Sequence, residues 1–454
     1  MSFDNVNDTI AAICTAPGGA LAILRISGPQ ALEILNSICW TKQKITKDHA
    51  RKAILAHAIR KDGETCLAIY MPGPASYTGE DVAEIQCHGG DFAPVRLLRA
   101  ALDAGARHAE GGEFTRRAFL NGKLDLTQAE AVADMIHAGS AAAMELAERQ
   151  MSGQLGRKLR QCRENLLRVV SEIESRLDFT EEDLDWIPAD TLCNILTGTK
   201  EKLLHYLDTA NTGALIRNGI RLVIAGAPNA GKSSLLNALL GYDRAIVTPI
   251  PGATRDTLEE SLTIRGIALR ATDTAGLRES TDHVEQLGVE RTRKAVKSAD
   301  VILWLLDSTE PEKAIKHFLM EKEDVVSDRI ILCWNKSDLT ANAAMPEVPG
   351  YPPPLSISAV TGDSLDLLTA EIEKVVWKKA GNREDETAIS ERHAAMIRQT
   401  LPDLDNAMAL IHDEFWELAA PGLHQAIHTL GTITGESADP DILDEIFSRF
   451  CIGK

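Results

Sequence analysis

The sequence predicts a multidomain protein of mixed α/β and α class: a small α+β domain, a helical domain, and a parallel α/β domain inserted into the helical one. Three observations predict it. Up to about Asn121, short β-like runs alternate with Gly/Pro turns. From Lys123 to about Thr212 the apolar residues recur at helical spacing, and Gly and Pro become scarce. Between Ile220 and about Val376, apolar strands alternate with helical segments, the pattern of a parallel sheet.

In the first region the β-like runs are Leu21–Ile26, Cys66–Tyr70 and Val82–Gln86, with a helical stretch near Pro94–Ala104 and turns at Met71–Ser76 and His88–Gly90. In the second, Leu126, Ala129, Val132, Ala133 and Ile136 share one face. Leu155, Leu159, Leu166, Val169 and Ile173 continue that spacing. The acidic run Asp178–Asp185 lacks a fixed ligand spacing, so a solvated turn and helix start is favoured over a metal site. After Gly381 the helical register returns in Ala394–Glu417 and Leu423–Leu430. Insertion explains that return, because domain termini usually lie close together. The expected domains are 1–121, 122–217 (first helical part), 218–381 (α/β) and 382–454 (second helical part).

The 454 residues are too many for one compact core, and 44% hydrophobic with 25% charged residues is ordinary for a soluble protein. No apolar run approaches the roughly 20 residues of a membrane helix. The N-terminus, MSFDNVNDTI, has no basic n-region. Eight cysteines without a C-x-x-C pair read as free thiols of a reducing compartment, so a cytoplasmic protein is expected. The net charge of -18 argues against a large basic nucleic-acid footprint. If the protein acts on RNA, a local basic patch or a partner supplies most of the phosphate attraction.

The strand Ile220–Ala225 runs into Gly226-Ala-Pro-Asn-Ala-Gly-Lys-Ser233, the pattern G-x-x-x-x-G-K-S with a strand before and a helix after. Gly226 and Gly231 let the loop wrap so that backbone N–H groups point at phosphate oxygens. Asn229, Ala230, Gly231, Lys232, Ser233 and Ser234 form this phosphate-binding segment, and the helix Ser233–Leu240 adds its positive dipole end. Lys232 is placed to reach the β- and γ-phosphates and the Ser233 hydroxyl to bind Mg²⁺. A second strand, Ile267–Thr272, delivers Asp273-Thr274-Ala275-Gly276. Asp273 there holds Mg²⁺ through water, and the Gly276 N–H senses the γ-phosphate. A third, Arg329–Trp334, delivers Asn335-Lys336-Ser337-Asp338. The Asp338 carboxylate can accept both the N1–H and the exocyclic amine of guanine, whereas adenine offers neither in that arrangement. A fourth segment, Leu355–Val360, places Ser358, Ala359 and Val360 beside the base. These elements in this order imply a Ras-like P-loop α/β G domain that binds GTP.

Leu277 follows Gly276, where many GTPases have a glutamine that positions water, and an apolar side chain cannot do that work. Candidates for the task lie within Leu277–Glu285; for Arg278 and Glu279 the favoured reading is flexible surface charge. The segment Thr248, Pro249, Ile250, Pro251, Gly252, Ala253, Thr254 offers Thr254 as the switch threonine on Mg²⁺, and Arg255 follows it.

These residues resemble the MnmE (TrmE) family of tRNA-modification GTPases over essentially the whole chain. The resemblance rests on Gly226–Ser234, Gly252–Asp256, Asp273–Arg278 and Asn335–Asp338. Outside the G domain it includes Pro72–Pro74, Tyr77–Val82, His88–Gly90, Gly112–Phe114, Phe119–Glu130 and the terminal Phe450-Cys-Ile-Gly-Lys454. It implies a K⁺-stimulated GTPase that dimerises through its G domains. Asn229 would ligate K⁺ with backbone oxygens of Thr248 and Ile250, and Ala253 would lie in the same shell. The chain departs from the family at Ala253, where a threonine often adds an oxygen to that shell; the departure bears on the strength of K⁺ dependence. Glu285 would orient the hydrolytic water through another water, with Lys232 and Thr254 completing the catalytic set.

The resemblance also implies an N-terminal folate-binding and dimerisation domain that takes a formyl- or methylene-tetrahydrofolate. Arg25, Glu84, Lys123 and Lys454 would contact it, cations suiting the glutamate tail and a carboxylate the pterin N–H donors. From its residues alone, Arg25 on a strand reads as a surface ion pair. Cys451 reads as a buried thiol, and not as a prenylation box, because Gly453 is not aliphatic. The resemblance instead puts Cys451 near the folate as a thiol participant. The implied partners are tRNA, a second copy of the chain, and an FAD-dependent protein of the MnmG (GidA) type in a heterotetramer or larger complex, with no membrane. The implied reaction adds an aminomethyl or carboxymethylaminomethyl group at C5 of the wobble uridine. A ribosome-assembly GTPase and a nucleotide-switched scaffold are the alternatives, and tetrahydrofolate binding by the N-terminal domain separates them from it.

Overall fold

The computed structural model describes residues 7–179, 185–242, 259–273, 296–321, 327–340, 345–380 and 389–454. They divide into two compact units. The first is drawn from Met1–Ala133, Gln150–Lys200 and Met396–Lys454, the second from Asp134–Arg149 and Glu201–Ala395.

The first unit holds a seven-stranded sheet of β1 (Ile10–Ile13), β2 (Leu21–Ser27), β3 (Cys39–Trp40), β4 (Ile54–Ala58), β5 (Thr65–Met71), β6 (Val82–His88) and β7 (Arg107–His108), in the order β3-β4-β5-β6-β2-β1-β7. Neighbours pair antiparallel except β1 with β7. Alternation along β2 turns Ala22, Leu24 and Ile26 inward, where they meet Tyr70, Ile85 and the helices α1 (Ala31–Ile38) and α2 (Ala93–Asp103). Pro94 lies in the first turn of α2, where its missing N–H costs nothing. The opposite face of the sheet carries Arg25 directly across from Glu84.

Helices follow: α3 (Glu113–Leu120), α4 (Leu126–His137), α5 (Ala141–Met151), α6 (Gln154–Asp178), α7 (Ala189–Asp208), α8 (Ala210–Asn218) and α9 (Lys232–Tyr242). Leu155, Leu159, Leu166, Val169 and Ile173 are all buried along α6, as their spacing predicts. The expected helix Ala394–Glu417 is two. Helix α12 (Glu391–His412) stops and α13 (Trp416–Thr434) starts anew, because Glu414 takes a left-handed φ of 63° and the Phe415 N–H turns back to Leu410 O at 2.7 Å. No glycine marks that stop in the sequence. Helix α13 packs on α6, and α14 (Pro440–Phe447) packs on α3 with Phe447 and Phe450 against Leu126.

The second unit holds a six-stranded sheet of β8 (Ile220–Gly226), β9 (Glu259–Ile264), β10 (Ile267–Asp273), β11 (Val301–Asp307), β12 (Ile330–Asn335) and β13 (Leu355–Ser356), ordered β13-β12-β11-β8-β10-β9. It is parallel except for β9, which runs antiparallel to β10. The two-residue turn Arg265–Gly266 has positive φ at both positions, 49° and 79°, the twist that joins adjacent antiparallel strands. Strands β11 and β12 are buried on both faces, which is why they read as unbroken apolar runs. Leu235, Leu239, Leu368 and Ile372 of α9 and α11 (Leu365–Ala380) cover one face. Phe318 of α10 (Pro311–Glu321), with Val296 and Val348, covers the other. No described helix is long and apolar enough to cross a membrane.

Candidate functional site

Backbone geometry builds the phosphate loop. Gly226 ends β8 at φ 141°, and a Cβ there would lie 2.5 Å from Leu305 O of β11. Gly231 has φ 95°, and a Cβ on it would strike Asn335 Nδ2. Asn229 takes the remaining left-handed position, φ 63°, which asparagine tolerates better than most residues. Lys232 opens α9 at 6% exposure and donates from Nζ to Gly226 O (3.0 Å) and Ala227 O (2.8 Å), so its ammonium lies across the loop's own backbone. Ser233 and Ser234 follow in the first helical turn, exposed. The first N–H groups of a helix have no intrahelical acceptor and attract anions.

The turn after β12 is fastened to this loop by one side chain. Asn335, the buried last residue of β12, donates from Nδ2 to Ala230 O at 2.8 Å and accepts the Ala359 N–H on Oδ1 at 3.0 Å. Ser358 Oγ donates to Asp338 Oδ1 at 2.7 Å and accepts the Thr361 N–H, which leaves the carboxylate oriented. Lys336 pairs through Nζ with Asp307 Oδ2 at 2.7 Å. Burial pushes the Asp307 carboxyl up, but the bonds from Lys336 and Thr309 outweigh it and hold the group below its ordinary value. Asn229–Ser234, Asn335, Lys336, Asp338, Ser358 and Ala359 thus gather at the carboxyl ends of parallel strands, where such sheets bind ligands. Val360 is 81% exposed at the end of that segment, and Asp273 ends β10 beside Ile224 of β8. Asp307 escaped the motif reading, although an acid closing the apolar run Val301–Leu306 was visible.

A second cluster lies on the first unit's sheet. Arg25 Nε meets Glu84 Oε1 at 2.8 Å, with both side chains less than a fifth exposed, so this pair is sunk further than a surface ion pair. The guanidinium lies 5.2 Å from the Tyr77 ring centroid and 5.5 Å from that of Phe114. The charges of Arg25, Glu84 and Lys454 all act on the Cys14 thiol, whose burial pushes it above its ordinary value. Lys454 is anchored by its carbonyl, which accepts the Phe114 N–H at 3.2 Å. Lys123 donates to Pro74 O at 3.0 Å. Three of the four expected folate residues therefore share one neighbourhood, together with Cys14, Tyr77 and Phe114, which motif reading had not singled out as contacts. Cys451 is exposed, not buried. Phe450 and Gly453 take the buried positions of the tail, and Cys451 is held by its backbone oxygen, which accepts the Gly112 N–H at 3.4 Å.

Thr248, Pro249, Ile250, Pro251, Gly252, Ala253, Thr254 and Arg255 lie outside the described residues, as do Thr274, Ala275, Gly276, Leu277, Arg278, Glu279 and Glu285. Helix α6 runs to Asp178, and residues 180–184 of the acidic run are also outside. Among the described residues no group of three or more His, Cys, Asp or Glu side chains is arranged to hold a metal.

Comparison with known proteins places the chain in a family. The family model of the MnmE helical domain matches residues 126–451, and that of the GTP-binding protein TrmE N-terminus matches residues 9–123. The tRNA modification GTPase MnmE of Akkermansia muciniphila is 42% identical over 98% of this chain and 99% of its own. The protein of that name from Dichelobacter nodosus is 43% identical over 99% of both chains, and that from Clostridioides difficile 38% over 99% and 100%. Among solved structures, the G domain of the T. maritima FeoB iron transporter aligns with 36% of this chain and 99% of that one at 25% identity, with a TM-score of 0.26, too low to bear on the fold. The two family matches and the full-length relatives agree: the chain belongs to the MnmE (TrmE) family of tRNA modification GTPases.

Proposed function

We propose that this chain hydrolyses GTP and works in the modification of wobble uridine in certain tRNAs. The observation that carries the guanine part is the Asp338 carboxylate, oriented by Ser358 in a turn that Asn335 fastens to the phosphate loop. That geometry offers a fixed acceptor pair to guanine's N1–H and amine. Lys232 would bind the β- and γ-phosphates, leaving its present carbonyl partners for them. Ser233 and Thr254 would hold Mg²⁺, and Asn229 with the backbone oxygens of Thr248 and Ile250 would hold K⁺, with Ala253 in the same shell but without a side-chain oxygen for it. The two ions supply positive charge to the phosphates when bound. Glu285 would position the attacking water.

In the same reading, residues 1–121 form the folate and dimerisation domain, residues 218–381 the G domain, and residues 122–217 and 382–454 the helical domain. Arg25, Glu84 and Lys454 are well matched to a formyl- or methylene-tetrahydrofolate, since a cation pair and a carboxylate meet beside two aromatic rings. Lys123 would join them by giving up Pro74 O. The chain would act in the cytoplasm as a homodimer with an FAD-dependent MnmG (GidA) type partner. That partner would bring the basic surface which a chain of net charge -18 lacks. Nucleoside mass spectrometry of tRNA from cells lacking the gene tests the reading. Aminomethyl-type uridines should vanish, return with the intact gene, and stay absent with Asp338→Asn. An unchanged tRNA profile would sink it.

A further inference from the structure

Lys336 holds a left-handed backbone, φ 67°, that L side chains avoid, yet it sits between the two most demanding residues of the site. Asn335 before it ties the strand end to the phosphate loop, and Asp338 after it faces the base. Asp307, which ends β11, and Ser308 after it grip Lys336 at both ends. Asp307 Oδ2 takes the ammonium at 2.7 Å, and Ser308 Oγ donates to the Lys336 carbonyl at 3.0 Å. The Ser308 N–H donates to Asn335 O at 3.1 Å, and Thr340 Oγ1 reaches Ser308 Oγ from beyond the turn at 3.2 Å. The other carboxylate oxygen is committed too: Asp307 Oδ1 accepts the Thr309 N–H (3.0 Å) and Oγ1–H (2.7 Å). With both oxygens engaged, the Asp307 carboxylate is a fixed anchor for the lysine ammonium. The Asp307 and Lys336 side chains are 20% and 28% exposed, which screens their pairing less than at an open surface.

We infer that Asp307 is a positioning residue for the nucleobase, acting through Lys336 to hold the base-reading turn in its binding conformation. This rests on the guanine-nucleotide reading and adds a division of labour to it. Asp338, held separately by Ser358, selects guanine; Asp307 sets how tightly the turn holds whichever purine it accepts.

Equilibrium titration of the full-length chain with a fluorescent GDP, for wild type, Asp307→Asn, Lys336→Met and the double variant, tests the inference. Asp307→Asn should raise the GDP Kd about tenfold, and the double variant should bind no more weakly than Lys336→Met alone. Competition with IDP, which lacks the exocyclic amine, should leave the GDP-to-IDP preference of Asp307→Asn at its wild-type value. A merely structural role would reduce the fraction of competent protein and leave the Kd of the remainder alone. If Asp307→Asn does not fold, Asp307→Glu, which keeps the charge but moves it by a methylene, must show the same pattern at smaller size. A Kd within about twofold of wild type, or a double variant that loses the product of the single losses, would overturn the clamp alone. Failure of the unmodified chain to bind GDP would overturn the guanine reading with it.

Discussion

The two sheets build their clusters in opposite ways. In the parallel sheet every contributing residue sits at or just beyond the carboxyl end of a strand, so each is reached by reading a few residues past an apolar run. In the antiparallel sheet Arg25 and Glu84 lie mid-strand on the face away from the helices, and their companions come from four further places in the chain, around Cys14, Tyr77, Phe114 and Lys454. The first kind of site is local four times over, whereas the second depends on register and on distant segments meeting. Damage should therefore act differently on the two: by chemistry at the first, by assembly at the second.

The largest effect expected is at the parallel sheet. Asp338→Asn reverses the donor and acceptor pattern facing the base, so GTP affinity should fall by roughly 10⁴-fold while xanthosine triphosphate gains. Competition binding with both nucleotides reads this, and a parallel loss of both would mean that the turn had collapsed instead. At the antiparallel sheet, Arg117 is 4% exposed and bonds Asp8, Glu80 and Glu113. Arg117→Ala takes the buried cation from Glu80 and leaves Asp8 and Glu113 to Arg107 alone; it should cost about 3–5 kcal/mol, measurable by denaturant titration, with nucleotide affinity unchanged. Gly453 has φ 100°, and a Cβ would lie 2.5 Å from Ile13 O. Gly453→Ala should lower stability by about 1–2 kcal/mol or more and weaken tetrahydrofolate binding, again sparing GTP. Coupled loss of GTP binding in either variant would break the comparison.

The smallest effect is with pH. Burial pushes Asp8 and Glu113 up, but Arg107 and Arg117, with the Glu110 N–H on Glu113, outweigh it and hold both carboxyls below their ordinary values of 3.8 and 4.5. Their stabilisation is complete above those values and disappears as pH falls through the lower folded ones. Acid titration of the first unit's unfolding should show that loss, and Arg107→Gln should move it toward higher pH. A transition that stays put would show the carboxylates are held by something else.

The same contrast explains what could be read in the chain. The strands β2, β5, β6, β8, β10 and β12 and the long face of α6 were legible because their periodicity is complete within a few turns. The phosphate loop was legible because Gly226 and Gly231 are forced by backbone geometry. The antiparallel edge β9 was not, since its direction is set by the φ values of Arg265 and Gly266, and Arg-Gly is not a strong turn signal. The stop at Glu414 was hidden because a glutamate took a place where glycine is usual. Asp307 is legible as an acid closing an apolar run, but its pairing with Lys336 depends on β11 lying beside β12. Arg25 reads as a surface pair from its residues alone and as a folate contact only by resemblance; the register that sets Glu84 opposite it and two rings beside it is not legible locally. Cys451 read as buried because nothing local shows which tail residues face inward.

The bridge between Gly111 and Ile452, with the Phe114 N–H held by Lys454, ties the start of α3, made early in synthesis, to a segment made after most of the chain has emerged. The cluster around Arg25 therefore stays unfinished while the helical and nucleotide-binding segments are being translated. Contacts of such long sequence separation are slow to close and easily lost. The pair Arg25–Glu84 and its two rings can thus meet early in translation, whereas Lys454 joins them only after the helical and nucleotide-binding segments have been made.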